Sequence, residues 1–223
     1  MSFDMDFIKQ KIAALKKEIP SHVKLIAVSK TKPNEAISEA MEAGQLDFGE
    51  NKVQELQQKF ETLPKEINWH YIGHLQRNKV KYLVDFVHLI HGVDSLKLLK
   101  EINKRGEKAN RKVPILLQMH IAEESTKFGL DQKELEEILN FDLDKDFPNI
   151  AFRGMMGMAT NTENKTQVTK EFKGIRKTFE ETAKQIDGFT ELSIGMTNDY
   201  KIAIDEGATM IRIGSAIFGE RNY

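Results

Sequence analysis

Residues 23–44 read VKLIAVSKTKPNEAISEAMEAG, and the pattern they carry decides the fold. The first seven are an apolar run rich in β-branched side chains, as a buried strand requires. A short polar loop follows, Pro33 suits the first position of a helix, and NEAISEAMEA spaces its apolar residues along one helical face. Strand, loop and amphipathic helix together make one βα unit.

The unit recurs. Further strand-type runs are LDFGE (46–50), WHYIG (69–73), FVHLIHG (86–92), VPILLQMHI (113–121), IAFRGMMGM (150–158), TELSIG (190–195) and TMIRIG (209–214). Helical patterns lie between them, among them SLKLLKEINKRG, QKELEEILN and KTQVTKEFKGIRKTFEETAKQI. Eight strand candidates without a domain break predict an α/β protein: a single (β/α)8 TIM-type barrel over residues 1–223, with an extra N-terminal helix. A doubly wound sheet would use fewer strands and show a switch point. LDFGE and TELSIG are the weakest strand signals.

Composition narrows the function. Lys+Arg number 33 and Asp+Glu 34, so no basic surplus draws the chain to nucleic acid or anionic lipid. The stretch NKRGEKANRK (103–112) lacks aromatic partners and reads as a solvated loop. With no cysteine, disulfides, thiolate nucleophiles and zinc–thiolate sites are excluded. MSFDMDFIKQKIAALKK mixes acids and bases and lacks a long apolar core, so neither a signal peptide nor a membrane span is expected, and the expected location is cytoplasmic.

In a barrel, function gathers at the carboxyl ends of the strands. Those ends supply Ser29 and Lys30, Glu50 and Asn51, Gly73 and His74, then His91, His120, Met158, Gly195 and Gly214–Ser215. The first and last strands are neighbours in a closed barrel, which sets Lys30 near RIGSAIFG (212–219). There Gly214 and Ser215 open a short helix whose N–H groups can hold an anion, and LSIGMTND (192–199) adds Ser193 and Thr197. Turn-making glycines alone are the other reading. Arg212, flanked by Met210, Ile211 and Ile213, calls for a partner: a carboxylate such as Asp205 or Glu206, or a ligand acceptor in the barrel mouth.

Strand alternation separates two lysines. Ile26, Val28 and Lys30 share one face, whereas Lys32 precedes Pro33 and belongs to a solvated loop. An amine packed near apolar residues has a lowered pKa and becomes a usable nucleophile, which singles out Lys30 over Lys32; a merely solvated strand-end lysine is the alternative. His88 and His91, three apart, fall on opposite faces, and WHYIGH brings no acid to His70 and His74, so no metal site is expected. The Met155–Met156–Met158 cluster reads as core, and no Walker A or dinucleotide glycine fingerprint is present.

Together AVSKTKP, FGENKVQE, WHYIGHLQRNK, ESTKFG, FRGMMGMA, LSIGMTNDY and TMIRIGSAIFGERNY resemble, in order and spacing, the pyridoxal-phosphate homeostasis proteins, whose barrel is similar to the N-terminal domain of alanine racemase. The resemblance runs from about residue 23 to the C-terminus. It implies a fold-type III barrel binding pyridoxal 5′-phosphate as an internal aldimine on Lys30. Arg212 would approach the pyridine nitrogen, and an arginine there keeps that nitrogen unprotonated and weakens the cofactor as an electron sink. Ser193, Thr197, Gly214 and Ser215 would hold the phosphate, and Asn51 would line the ring. Thr197 stands where many relatives carry serine. His74 stands where many have a small residue or proline, and has no assigned role.

Two functions follow from the resemblance. One is a binding module that buffers and delivers pyridoxal phosphate without strong catalysis, a cytoplasmic monomer handing cofactor to apo forms of pyridoxal-phosphate enzymes. The other is an amino-acid racemase. Racemases of this fold take their second acid/base from a separate β domain, and the sequence stopping at Tyr223 leads to the expectation of a non-enzyme with at most residual racemization. A Schiff-base aldolase would explain Lys30 and the phosphate turns but not the whole motif set.

Overall fold

Each apolar run becomes a strand in the computed structural model, which describes residues 7–124 and 127–220. Ser125 and Thr126 of the ESTKFG stretch, and Tyr223, lie outside the described residues. The strands are β1 (Lys24–Val28), β2 (Asp47–Glu50), β3 (Asn68–Tyr71), β4 (Leu89–Val93), β5 (Val113–Met119), β6 (Ile150–Gly157), β7 (Glu191–Ser193) and β8 (Met210–Ile213). All pair in parallel, in sequence order, and β8 closes onto β1 through Ile26↔Arg212 and Ala27↔Ile213. Even LDFGE and TELSIG take their places, because a strand flanked on both sides needs little propensity of its own.

Alternation divides the core in two. Ile26, Leu89, Leu116, Met156 and Met210 form an apolar cluster within the barrel. Their strand neighbours, such as Leu25, Ala27, Phe48, Trp69, Ile115 and Ile211, face outward into the layer shared with the helices. Those helices include α1 (Phe7–Glu18), α2 (Asn34–Glu42), α3 (Val53–Thr62), α4 (Leu96–Lys108), α5 (Gln132–Leu139), α6 (Leu143–Asp146), α7 (Lys165–Ala183), α8 (Tyr200–Asp205) and α9 (Ser215–Phe218). Caps mark several starts: Ser95 accepts from Leu98 N–H, and Asp131 with Glu134 completes a capping box. The β3–β4 crossover departs from the eightfold pattern, with a 3-10 helix at Arg77–Tyr82 in place of an α-helix.

The extra helix α1 buries Ile8, Ile12 and Leu15. Lys16 Nζ donates to the carbonyls of Gly44 (2.8 Å) and Ala43 (3.2 Å), and Glu18 accepts from the Tyr200 hydroxyl at 3.0 Å. Helix α1 thus bridges the first and seventh βα units.

Candidate cofactor site

Lys30 follows β1 in phase with the inward-facing Ile26, and it is half-buried. The residues on either side of it are held from α3. Lys59, buried, donates to Ser29 O (2.9 Å), Glu50 Oε1 (2.8 Å) and Glu55 Oε1 (2.7 Å). The Ser29 hydroxyl donates to the same Glu50 oxygen at 2.6 Å, and Thr31 N–H donates to Glu55 Oε1 at 2.6 Å. Thr31 is left-handed, with φ 64°, a costly conformation for a β-branched residue. The carboxylate clamp offsets that cost and fixes the backbone around Lys30. Burial pushes the Glu50 carboxyl above its ordinary value, against the opposing pull of Lys59 and Ser29. Glu50 had been legible only as a strand end. Lys59 was missed, although its i,i+4 spacing from Glu55 was a local signal.

Lys32 is not the solvated loop residue its sequence position suggested. Its ammonium donates to Phe218 O at 2.9 Å, Gly219 O at 3.4 Å and Glu220 O at 3.3 Å. The closed barrel brings the carbonyl end of α9 beside the β1–α2 loop, and a cation there satisfies groups the helix leaves unpaired.

Across the β7–β8 turns, Ser215 Oγ lies 3.3 Å from Thr197 Oγ1. Gly214 lies against Val28, where a Cβ would meet the Val28 Cβ and carbonyl oxygen at 3.4 Å, an ordinary van der Waals distance. Gly195 (φ +91°) is required twice over, since a Cβ there would come within 2.5 Å of the Ala203 methyl. The β7–α8 loop is closed by Met196 N–H donating to Asp199 Oδ1 at 2.5 Å. On the opposite rim, the carbonyl of half-buried Asn51 accepts from the Tyr71 hydroxyl at 3.2 Å. Tyr71 also donates to His74 O at 3.1 Å, and burial raises its phenol pKa to about 12.

Arg212 is buried inside the barrel. Among the described residues it pairs with neither Asp205 nor Glu206; Glu206 faces Lys173 instead. Its Nη1 donates to Ser193 O (2.7 Å) and Ser193 Oγ (2.6 Å), and Nη2 to Gly157 O (3.0 Å). Burial lowers its pKa to about 10, with Asp199 opposing, so the guanidinium stays charged at neutral pH. Ser193 is fully buried, and its hydroxyl meets Arg212 and His91 Nδ1 (2.9 Å). The structure therefore groups Thr197, Gly214 and Ser215 at the mouth and places Ser193 below them, as a support for Arg212.

The histidines correct a second sequence argument. His70 does have an acid: Asp47 Oδ1 on the adjacent strand, 2.9 Å from its Nε2. Its Nδ1 lies 2.9 Å from His91 Nε2. His88 precedes β4, so strand alternation does not govern it, and its ring centroid is 5.1 Å from that of His70. Ligand atoms of Asp47, His70 and His88 come within 4.8 Å of one another. Both His70 nitrogens are nevertheless engaged by protein groups, and Lys24 Nζ stands 3.9 Å from Asp47. His74 sits elsewhere, exposed, with Nδ1 2.8 Å from Asp94 Oδ2 and its ring stacked on Phe128 at 3.8 Å.

Comparison with known proteins agrees with this architecture. Residues 3–222 match the family model described as alanine racemase, N-terminal domain. The chain is 40% identical over 202 residues to the pyridoxal phosphate homeostasis protein of Aquifex aeolicus, covering 90% of this chain and 88% of that one. Among solved structures it resembles PipY of Synechococcus elongatus without PLP (TM-score 0.86, 35% identity) and with PLP bound (TM-score 0.84, 33% identity), each covering 95% of this chain and 100% of the other. The chain belongs to the alanine racemase N-terminal domain family, alongside the proteins named pyridoxal phosphate homeostasis protein.

Proposed function

We propose that this protein binds pyridoxal 5′-phosphate through Lys30 and acts in intracellular pyridoxal-phosphate homeostasis, buffering and delivering the cofactor rather than turning substrates over. The observation that carries the reading is the meeting at the β1–β8 junction of a clamped, half-buried lysine with a hydroxyl-lined turn. The donor set fits the cofactor. Thr197 and Ser215 hydroxyls, with the N–H groups that begin α9, suit a phosphate. Arg212, a charged group that can only donate, suits a pyridine nitrogen that stays unprotonated. Asn51 lines the ring. Pyridoxal phosphate supplies an aldehyde for condensation with an amine and an electron sink; a donor-only arginine at the ring nitrogen weakens that sink. The names of the relatives and the PLP-bound PipY support the same reading. We place the protein in the cytoplasm as a monomer whose recipients are apo forms of pyridoxal-phosphate enzymes.

Borohydride reduction followed by peptide mass spectrometry tests the central claim. The reduced adduct is expected on Lys30, lost in Lys30→Ala and kept in Lys32→Ala. An adduct that survives Lys30→Ala but not Lys32→Ala overturns the assignment. Turnover at enzyme-like rates against a panel of L- and D-amino acids would replace the carrier by a racemase.

A further inference from the structure

The strongest feature that the proposed function leaves unused is the row of polar side chains crossing the barrel interior. Arg212, Ser193, His91, His70 and Asp47 come from β8, β7, β4, β3 and β2 and touch in that order, at 2.6, 2.9, 2.9 and 2.9 Å. His70, His91 and Ser193 are fully buried.

The proton positions follow by elimination from the Asp47 end. Asp47 is the acceptor at its end: burial would raise its pKa, but the hydrogen bond from His70 and the nearby Lys24 ammonium oppose it, and its pKa lies below its ordinary value. His70 Nε2 must therefore carry the proton. Burial lowers the pKa of His70, and lowers that of His91 further still, so each ring is neutral and holds one proton. With Nε2 protonated, His70 Nδ1 can only accept, so His91 Nε2–H donates to it. His91 Nδ1 is then an acceptor, and the Ser193 hydroxyl donates there. Starting from the other end, a guanidinium has no lone pair to offer, so Ser193 Oγ accepts from Arg212. That end is compatible with the direction set from Asp47, because the Ser193 oxygen can accept from Arg212 while its hydroxyl proton goes to His91.

We infer that Asp47, His70, His91 and Ser193 are positioning residues: a one-way hydrogen-bond relay, every donor pointing toward Asp47, that fixes Arg212 and compensates its buried charge from the far side of the barrel. The inference rests on the proposed reading only for its last step, in which Arg212 serves the pyridine nitrogen. Asp199 acts on Arg212 only through space, and a buried arginine with no carboxylate in hydrogen-bond contact among the described residues loses hydration that something must replace. Here Ser193 offers Arg212 its lone pairs, His91 and His70 hold the hydroxyl turned away, and Asp47 terminates the series with Asn68 Nδ2 3.3 Å and Lys24 Nζ 3.9 Å away. The direction matters because a reversed series would turn His91 N–H toward Ser193, occupying both oxygen lone pairs and leaving the buried hydroxyl proton without an acceptor in the row.

The test begins on the cofactor-free wild type, where folding of a variant is not in question. Long-range 1H–15N correlation of the ring nitrogens at neutral pH is expected to show His70 and His91 as neutral Nε2–H tautomers. Either ring found as imidazolium or Nδ1–H would overturn the relay. In Asp47→Ala the His91 ring, which does not touch Asp47, is expected to become a mixture of tautomers; an unchanged His91 signal would also overturn it. With pyridoxal phosphate added, Asp47→Ala should weaken binding about tenfold and move the visible absorption band, with Asp47→Glu restoring both. Unaltered cofactor affinity and spectrum, with the tautomers as expected, would overturn the link from relay to cofactor. Failure of the cofactor reading itself would show separately, as loss of the Lys30 adduct in the wild type.

Discussion

Lys59 illustrates how much the backbone beside Lys30 depends on one charge. Its side chain is 7% exposed, and its ammonium stands between the carboxylates of Glu50 and Glu55. Lys59→Ala leaves Glu50 buried and uncompensated, and should cost about 3 kcal/mol in urea denaturation. Glu50 adds a pH dependence. Its folded pKa is raised, so its contribution to stability is fully present below the ordinary value of 4.5 and is lost as pH rises through the folded value. The stability advantage of wild type over Glu50→Gln should therefore shrink as pH climbs from below 4.5 toward neutrality. A constant difference would mean that folding leaves the Glu50 pKa unshifted, and an advantage that grew with pH would mean that Lys59 keeps Glu50 ionised throughout. None of this was legible from the motif FGENKVQE alone. Glu50, Glu55 and Lys59 read as ordinary charged residues until α3 is laid against the end of β1.

At the scale of elements, alternation did most of the work that sequence could do. It set Lys30 on one face with Ile26 and Val28 and separated it from Lys32, whereas for Arg212 the sequence left a carboxylate partner and a ligand acceptor both open. It failed where a residue sits just outside a strand, as His88 does, and where a partner comes from another strand, as Asp47 does for His70. Periodicity carries no information about which interior residues will meet across the barrel; closure decides that. The turn after β7 is the sharpest local requirement. Gly195→Ala places a methyl where φ is +91° and the Ala203 methyl would be 2.5 Å away, so a loss of about 2 kcal/mol or more is expected by thermal or chemical denaturation. Because Thr197 follows two residues later, the same variant should weaken phosphate-dependent cofactor binding more than it weakens binding of the unphosphorylated pyridoxal.

At the scale of the whole molecule, the barrel has an interior of two characters. Ile26, Leu89, Leu116, Met156 and Met210 supply apolar filling, while the line from Asp47 to Arg212 spends buried volume on polar groups. Satisfied internally, such a line costs little and confers directional order. The sequence reading anticipated eight strands and their order. It did not anticipate the 3-10 crossover after β3, where Arg77–Tyr82 stands in for a helix. Nor could it foresee that α1 would tie α2 to α8 through Lys16 and Glu18.

Lys32 reaches the Phe218 carbonyl across 186 residues of sequence. On the proposed reading, the lysine end of the cofactor cradle is synthesised early and the phosphate turn late, so a nascent chain would carry half a site for most of its translation. Contacts of such long range are the slowest to form when a chain folds. Under that proposal cofactor capture would act as a certificate of completion: a partly folded intermediate would have the amine but could not retain the phosphate. In a refolding time course with pyridoxal phosphate present, the aldimine colour should return with the last kinetic phase, after most of the far-ultraviolet signal has recovered. Colour that returned with the first phase would show that the first βα units can hold the cofactor before the barrel is whole.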